Sequence, residues 1–347
     1  MGAVMLLSIL FCALPLWVAD DVAPVNVAPE SWVASGRGAT LDIRDGALTL
    51  HYDAREGARD TALLPLGNFP MTEMKSLRFE IRTDAPFAAA VLLSEKVLGE
   101  KKPGGGNYMA AIWSSGDKWQ PVVLAPGDFT EAEGARAPED PDRRLGLDRL
   151  RNLALLDLTL FTSGAARNER VYAEPHTGPH TISIRNVEIS REAAPPRASG
   201  MIDDFSRPQL AWFTGGGAIL AKRDAALTVD YRQLPRRWVA WSRLLPPGDY
   251  AGATRLAMDI QSDRDAQLAI SVREPRADGS PGKRYNVDFL VAGGKSPEHR
   301  EVVLRAFHAE DGGGGLNPAL LRTITFLDVS GESGRNQIRI GNLRLVN

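Results

Sequence analysis

Aromatic residues make up only 7% of this 347-residue chain, so the few flat rings available for stacking stand out. In the first half, Tyr108, Trp113 and Trp119 surround the loop Ser114-Ser115-Gly116-Asp117-Lys118. Trp113 and Trp119 bracket what reads as a hairpin turn, not an apolar run, and this favours partial exposure of their rings. In the second half the corresponding candidates are Tyr231, Trp238, Trp241 and Tyr285. The run Arg236-Arg237-Trp238-Val239-Ala240-Trp241-Ser242-Arg243 alternates, so Trp238 and Trp241 point to opposite faces of a regular strand and one of them belongs to a core. Exposed indole and phenol rings stack on the apolar faces of pyranoses, while Arg236, Arg237 and Arg243 are placed to pair with acidic groups or to stack on the rings. The competing role for each ring is packing, either across a strand pair or within a core. Trp32 and Trp212, at matching places near the starts of the two halves, read as core plugs.

Catalytic patterns are sparse. The five histidines, His51, His176, His180, His299 and His308, are scattered and form no HExxH motif. The nearest pair, His176 and His180, is interrupted by Gly178-Pro179, which reads as a loop and not as a metal-binding helix. The sequence contains no GxSxG elbow or P-loop, and its glycine runs read as loops. Nothing singles out a catalytic pair among 43 acidic residues, so no catalytic residue is assigned. A formal charge of -2, without a polybasic run, argues against a nucleic-acid partner.

These side chains need a scaffold, and the scaffold is a diverged repeat. GALTLHYD from Gly46 matches AALTVDYR from Ala225, which aligns Tyr52 with Tyr231. LRFEIRTD from Leu77 matches LAMDIQSD from Leu256, and NYMAAI from Asn107 matches RYNVDF from Arg284. QPVVLAPGDF from Gln120 faces REVVLRAFH from Arg300, and GLDRLRNLALLDLT from Gly146 faces GLNPALLRTITFLDVS from Gly315. Each half closes on one pattern, ISIRNVEIS from Ile182 and IRIGNLRLV from Ile338. Short alternating runs bounded by Gly, Pro, Asp and Asn predict strands, and the leucine-rich segment after Gly146 predicts a short helical turn leading into a strand. The expectation is an all-β chain of two tandem β-sandwiches, residues 27–192 and 201–347, joined by a linker at 193–200 that carries Pro195-Pro196. The segment from Thr162 to Pro179 reads as an insert found only in the first half.

Residues 1–19 have the length and apolarity of a signal peptide, which predicts export to a periplasm, a cell surface or the medium, with no membrane insertion after removal. The only cysteine, Cys12, lies inside this segment, so the mature chain is expected to contain neither disulfides nor thiolate sites.

The IDDFS start at Ile202–Ser206, the loop carrying Trp212, the ALTVDY, LAMDI and REVVL strands and the terminal IRIGNLRLV resemble the jelly-roll carbohydrate-binding modules of the galactose-binding-like superfamily. The nearest types are family 11 and CIA30-like modules. The resemblance covers most of both halves. It implies non-catalytic modules that bind a polysaccharide or glycan, here through Tyr108, Trp113 and Trp119 in one domain and Tyr231, Arg236, Trp238, Trp241 and Tyr285 in the other, with avidity from two tandem sites. A protein partner in the cell envelope is the alternative. The family often holds a structural calcium, for which Asp203, Asp204 and Asn342 are the oxygen donors on offer. Where the family's last strand commonly carries an Asp after its apolar residue, these halves have Arg185-Asn186 and Gly341-Asn342, which weakens that site.

Overall fold

The structure, a computed structural model, describes residues 24–347 except 56–59, 96–104, 132–144, 160–175, 216–217, 236–237, 246–249 and 276–280. The expected leader, Arg236, Arg237 and most of the 162–179 insert lie outside the described residues.

The first half folds as β1 (Val25–Asn26), β2 (Val33–Ser35), β3 (Thr40–Arg44), β4 (Ala47–Ala54), β5 (Thr61–Pro65), β6 (Ser76–Thr83), β7 (Phe87–Ser94), β8 (Asn107–Ser114), β9 (Gln120–Leu124), β10 (Thr130–Glu131), β11 (Asn152–Asp157) and β12 (Gly178–Ser190). The second half follows as β13 (Met201–Asp203), β14 (Trp212–Gly215), β15 (Ile219–Arg223), β16 (Ala226–Gln233), β17 (Val239–Leu244), β18 (Arg255–Ser262), β19 (Ala266–Pro275), β20 (Pro281–Val291), β21 (Glu298–Val303), β22 (His308–Ala309), β23 (Thr323–Asp328) and β24 (Gly334–Val346). One sheet of the first half is ordered β3-β4-β12-β6-β9 with β1 on β12, and the other is β10-β8-β7-β11-β5-β2. Adding 12 to every strand number reproduces the sheets of the second half, including β13 on β24. The chain is therefore all-β, two tandem jelly-roll sandwiches of one topology.

Local rules explain the shared elements. In β4 Leu48, Leu50 and Tyr52 are buried while Thr49 and His51 alternate outward, the two-residue period of a half-buried strand. Asp45-Gly46 joins β3 to β4 with both φ values positive, 52° and 72°, the mirror-image turn whose twist suits a hairpin. In the second half Asp224-Ala225 makes the same turn at 51° and 52°, with alanine in a conformation that glycine adopts more readily. Three-residue 3-10 turns, Leu147–Arg149 and Pro318–Leu320, lead into β11 and β23, the turn-then-strand order read from sequence.

The expected hairpin between Trp113 and Trp119 is not one. Its two strands, β8 and β9, belong to different sheets, so residues 115–119 cross from one layer of the sandwich to the other. Gly178 and Pro179, read as loop, instead open β12.

The two sandwiches meet along β8. Residues 208–210 lie antiparallel to its free edge: the Trp113 amide donates to Pro208 O at 2.8 Å and the Leu210 amide to Ala111 O at 2.9 Å. Lys222 holds the same segment from the other side, its Nζ donating to the carbonyls of Arg207 and Gln209. The outward-facing Ala88, Ala90, Leu92, Trp113, Ala154 and Leu156 of the first sandwich are buried, and they belong to one apolar cluster with the core of the second.

Candidate functional site

The structure divides the candidate aromatics sharply. Tyr108, Tyr231, Trp241 and Tyr285 lie in the sandwich cores, with Trp241 stacked on Phe326 at 5.8 Å and a 4° interplanar angle. Trp113 is 6% exposed and contributes to the joint between sandwiches. As placed, these five rings present no face to a ligand, because their strands turn the side chains inward or against the neighbouring domain. Trp238 is 71% exposed while Trp241 is fully buried, the opposite-face placement expected from their spacing. Trp32 and Trp212 are buried as core plugs. Only Trp119 and Trp238 keep surface to offer among the described candidates.

Trp119 sits on the outward face of the β6–β12 sheet. On β6 the alternation that buries Phe79 and Ile81 turns Glu80 and Arg82 outward, and on β12 the burial of Ile182 and Ile184 does the same for Ser183 and Arg185. The guanidinium carbons of Arg82 and Arg185 lie 4.6 Å and 4.4 Å from the Trp119 ring centroid, and the indole is half-buried. Arg185 also donates to Glu80 at 2.7 Å, and Asn186 donates to the same carboxylate at 2.8 Å. The hydrogen bond from Arg185, joined by that from Asn186, holds Glu80 below the usual carboxyl range and keeps it charged at neutral pH. Thr49 and Ser183 share a hydroxyl–hydroxyl bond of 2.9 Å on the same face.

The crossing loop is itself fixed. Gly116 adopts φ of 108°, its carbonyl accepts from the Thr83 amide at 3.1 Å, and Gln120 Oε1 accepts from the Ser115 amide at 3.2 Å. A half-exposed ring, two cations, one carboxylate and hydroxyls thus share one preorganised sheet face. The equivalent face of the second sandwich is an ion-pair surface in which Asp259 faces His299 at 2.9 Å and Asn342 at 3.4 Å, and Trp119 has no counterpart there among the described residues.

The proposed calcium donors do other work. Asp203 is 3% exposed and holds the protein's own cation: Arg243 Nη1 donates to its Oδ2, Trp212 Nε1 donates at 3.1 Å, and the Phe205 amide donates to Oδ1 at 2.9 Å. Asp204 accepts from the Ser206 amide and hydroxyl instead. Asn342 has φ of 49° beside the β24 register shift, matched by Asn186 at 53° beside the β12 shift. Asparagine tolerates that left-handed bulge position, which explains why both halves carry it where an Asp was expected. No group of three or more His, Cys, Asp or Glu among the described residues is arranged to hold a metal.

Sequence reading missed a buried pair shared by both sandwiches. Tyr52 donates to Asp157 at 2.9 Å, and Tyr231 donates to Asp328 at 2.5 Å. Burial, reinforced by the adjacent carboxylate, raises both phenols well above their ordinary range. Thr159 and Ser330, two residues on, each return an amide and a hydroxyl to the same carboxylate. The shared LDxT and LDxS spacing was visible, but what burying that Asp required was not. Around the pair the halves diverge. Asn336 donates to Tyr231 at 2.9 Å in the second, whereas His180 takes that register position in the first and bonds Asp84 at 2.8 Å. His176 reaches Asp157 and lies 4.0 Å from the His180 ring.

No family model matches the chain, and no curated protein does. Among solved structures, the chain is similar to the family 11 carbohydrate-binding module of the cellulosomal cellulase Lic26A-Cel5E of Clostridium thermocellum, with 20% identity over 44% of this chain and 96% of that one, at a TM-score of 0.36. It is also similar to a family 29 carbohydrate-binding module complexed with cellulohexaose (16% identity, 42% of this chain, 87% of that one, TM-score 0.29). A third similarity is to the agarase AgWH50C (14% identity, 42% of this chain, 24% of that one, TM-score 0.33).

Proposed function

We propose that this is an exported, non-catalytic glycan-binding protein whose contact surface is the outward face of the first sandwich around Trp119. The observation that carries the reading is the indole held on a polar sheet face by Arg82 and Arg185, with Glu80 charged beside it. Such a ring accepts the apolar face of a pyranose, and the flanking guanidinium, carboxylate and hydroxyl groups are suited to sugar hydroxyls. Export rests on the apolar N-terminus, whose final destination is a periplasm, a surface or the medium.

The test is retention of the mature chain on a polysaccharide panel of mixed-linked β-glucan, cellulose, agarose and pectin in affinity electrophoresis. Loss of ring stacking in Trp119→Ala should weaken retention by about tenfold, corresponding to ~1.4 kcal/mol. No retention on any glycan, or equal retention by a folded Trp119→Ala variant, overturns the reading.

A second reading, a protein-docking module of the cell envelope, is favoured by a different surface. Leu244 on β17 and Leu290 on β20 point outward from one sheet at 46% and 71% exposure, and Trp238 stands at the start of β17. Unchanged glycan retention together with a partner lost on Leu290→Lys would select it.

A further inference from the structure

Between the two sandwiches and the linker lies a cavity of ≈ 740 Å³, within the size range of small-ligand sites. Its walls come from β8 and the turn after β9, from residues 194–201, and from the start of β14 and the end of β17. Among its buried lining side chains, Gln209 and Arg243 each have a polar atom without a hydrogen-bond partner: Gln209 Oε1, an acceptor, and Arg243 Nε, a donor. Such atoms are rare in folded proteins, and they mark this wall of the cavity as polar and not as a sealed apolar joint.

The walls are also cationic. Three guanidinium groups, Arg197, Arg207 and Arg243, face one lining carboxylate, Asp128, with Asp203 behind Arg243. Arg207 spends one nitrogen on the carbonyls of Pro195 and Pro196, and Arg197 donates to Ile202 O and lies 3.7 Å from Asp128, so the linker wall is pinned in place while the cation excess persists.

We propose that this cavity binds an acidic saccharide unit, a polyhydroxylated ring bearing a carboxylate of the uronic-acid type. The saccharide class rests on the glycan-binding reading above, but the site is separate from Trp119.

The test is calorimetry on the full mature chain with oligogalacturonate, oligoglucuronate and oligomannuronate, each against its neutral hexose counterpart. At least one uronate should bind about tenfold or more tighter than its neutral counterpart, and added salt should weaken it. Ala211→Trp, an exposed cavity-lining position, should fill the space and abolish that binding, and Leu244→Trp does the same test from the opposite wall. Trp119→Ala should leave it unchanged, which separates failure of this site from failure of the sheet-face site. Absence of uronate binding, equal affinity for acidic and neutral sugars, or undiminished binding by folded, filled variants overturns the proposal.

Discussion

Lys222 offers the sharpest physical test of how the two sandwiches are joined. It lies on β15, 9% exposed, and donates to the carbonyls of Arg207 and Gln209, the segment that docks on β8. Burial drives its ammonium down from 10.5 to about 7, with Asp204 acting the other way. Between those two values the unfolded chain holds a proton that the folded chain has released, so stability rises with pH across the window and falls as pH drops toward 7. Integrating a single site with these two pKa values gives a gain of about 3 kcal/mol between about pH 7 and pH 9.5. Urea unfolding of the second sandwich, followed by tryptophan fluorescence at intervals across that range, should show this slope. Stopping at about pH 9.5 stays below ordinary tyrosine ionisation, where the raised Tyr52 and Tyr231 add an opposing contribution. Lys222→Met should flatten the slope, whatever it does to stability at any single pH, because the two carbonyls also lose their donor. Parallel curves for wild type and Lys222→Met would refute the assignment of a buried, largely neutral lysine.

Three further outcomes follow from local geometry. Ala225→Gly should stabilise the second sandwich by about 0.5–1 kcal/mol, since alanine pays a left-handed penalty at φ of 52° that exceeds the extra chain entropy of glycine; an unchanged or lowered urea midpoint contradicts this. Arg243→Met should cost about 3–5 kcal/mol by stranding the buried Asp203 carboxylate. A chelator should leave the wild-type transition unmoved, because a guanidinium occupies the carboxylate that calcium would need; a chelator-sensitive midpoint would restore the calcium reading.

The architecture was readable because the two halves report on each other. Alternation in GALTLHYD and LRFEIRTD marks half-buried strands, and a second copy with the same order turns pattern into topology. The sheet partners of those strands were not readable. The turn residues around Gly116 look the same whether the chain doubles back in one sheet or crosses to the other, and only the pairing of β9 with β6 decides it. That error carried the Trp113 assignment with it, since a hairpin would have placed both tryptophans on one ribbon. Phe87–Leu93 was a missed signal. Its unbroken apolar run FAAAVLL, unlike the alternating strands beside it, is what a strand buried on both faces requires.

That run also changes what a tandem repeat means here. The outward face of β7 carries Ala88, Ala90 and Leu92, whereas the equivalent positions of β19 carry Gln267, Ala269 and Ser271. One topology therefore presents a buried apolar face in the first half and a polar one in the second, so the two sandwiches are not interchangeable modules. Avidity between equal sites on a flexible tether is the wrong frame for this molecule. The Pro195-Pro196 carbonyls are held by Arg207, residues 208–210 are hydrogen-bonded to β8, and Gln209 Nε2 donates to Val123 O across the joint. Two sites on such a body are separated by structure and not by linker length. Lengthening the linker at Ser199 by a few glycines should then leave polymer affinity unchanged so long as the β8 contacts persist, whereas a tethered pair would respond through its effective concentration.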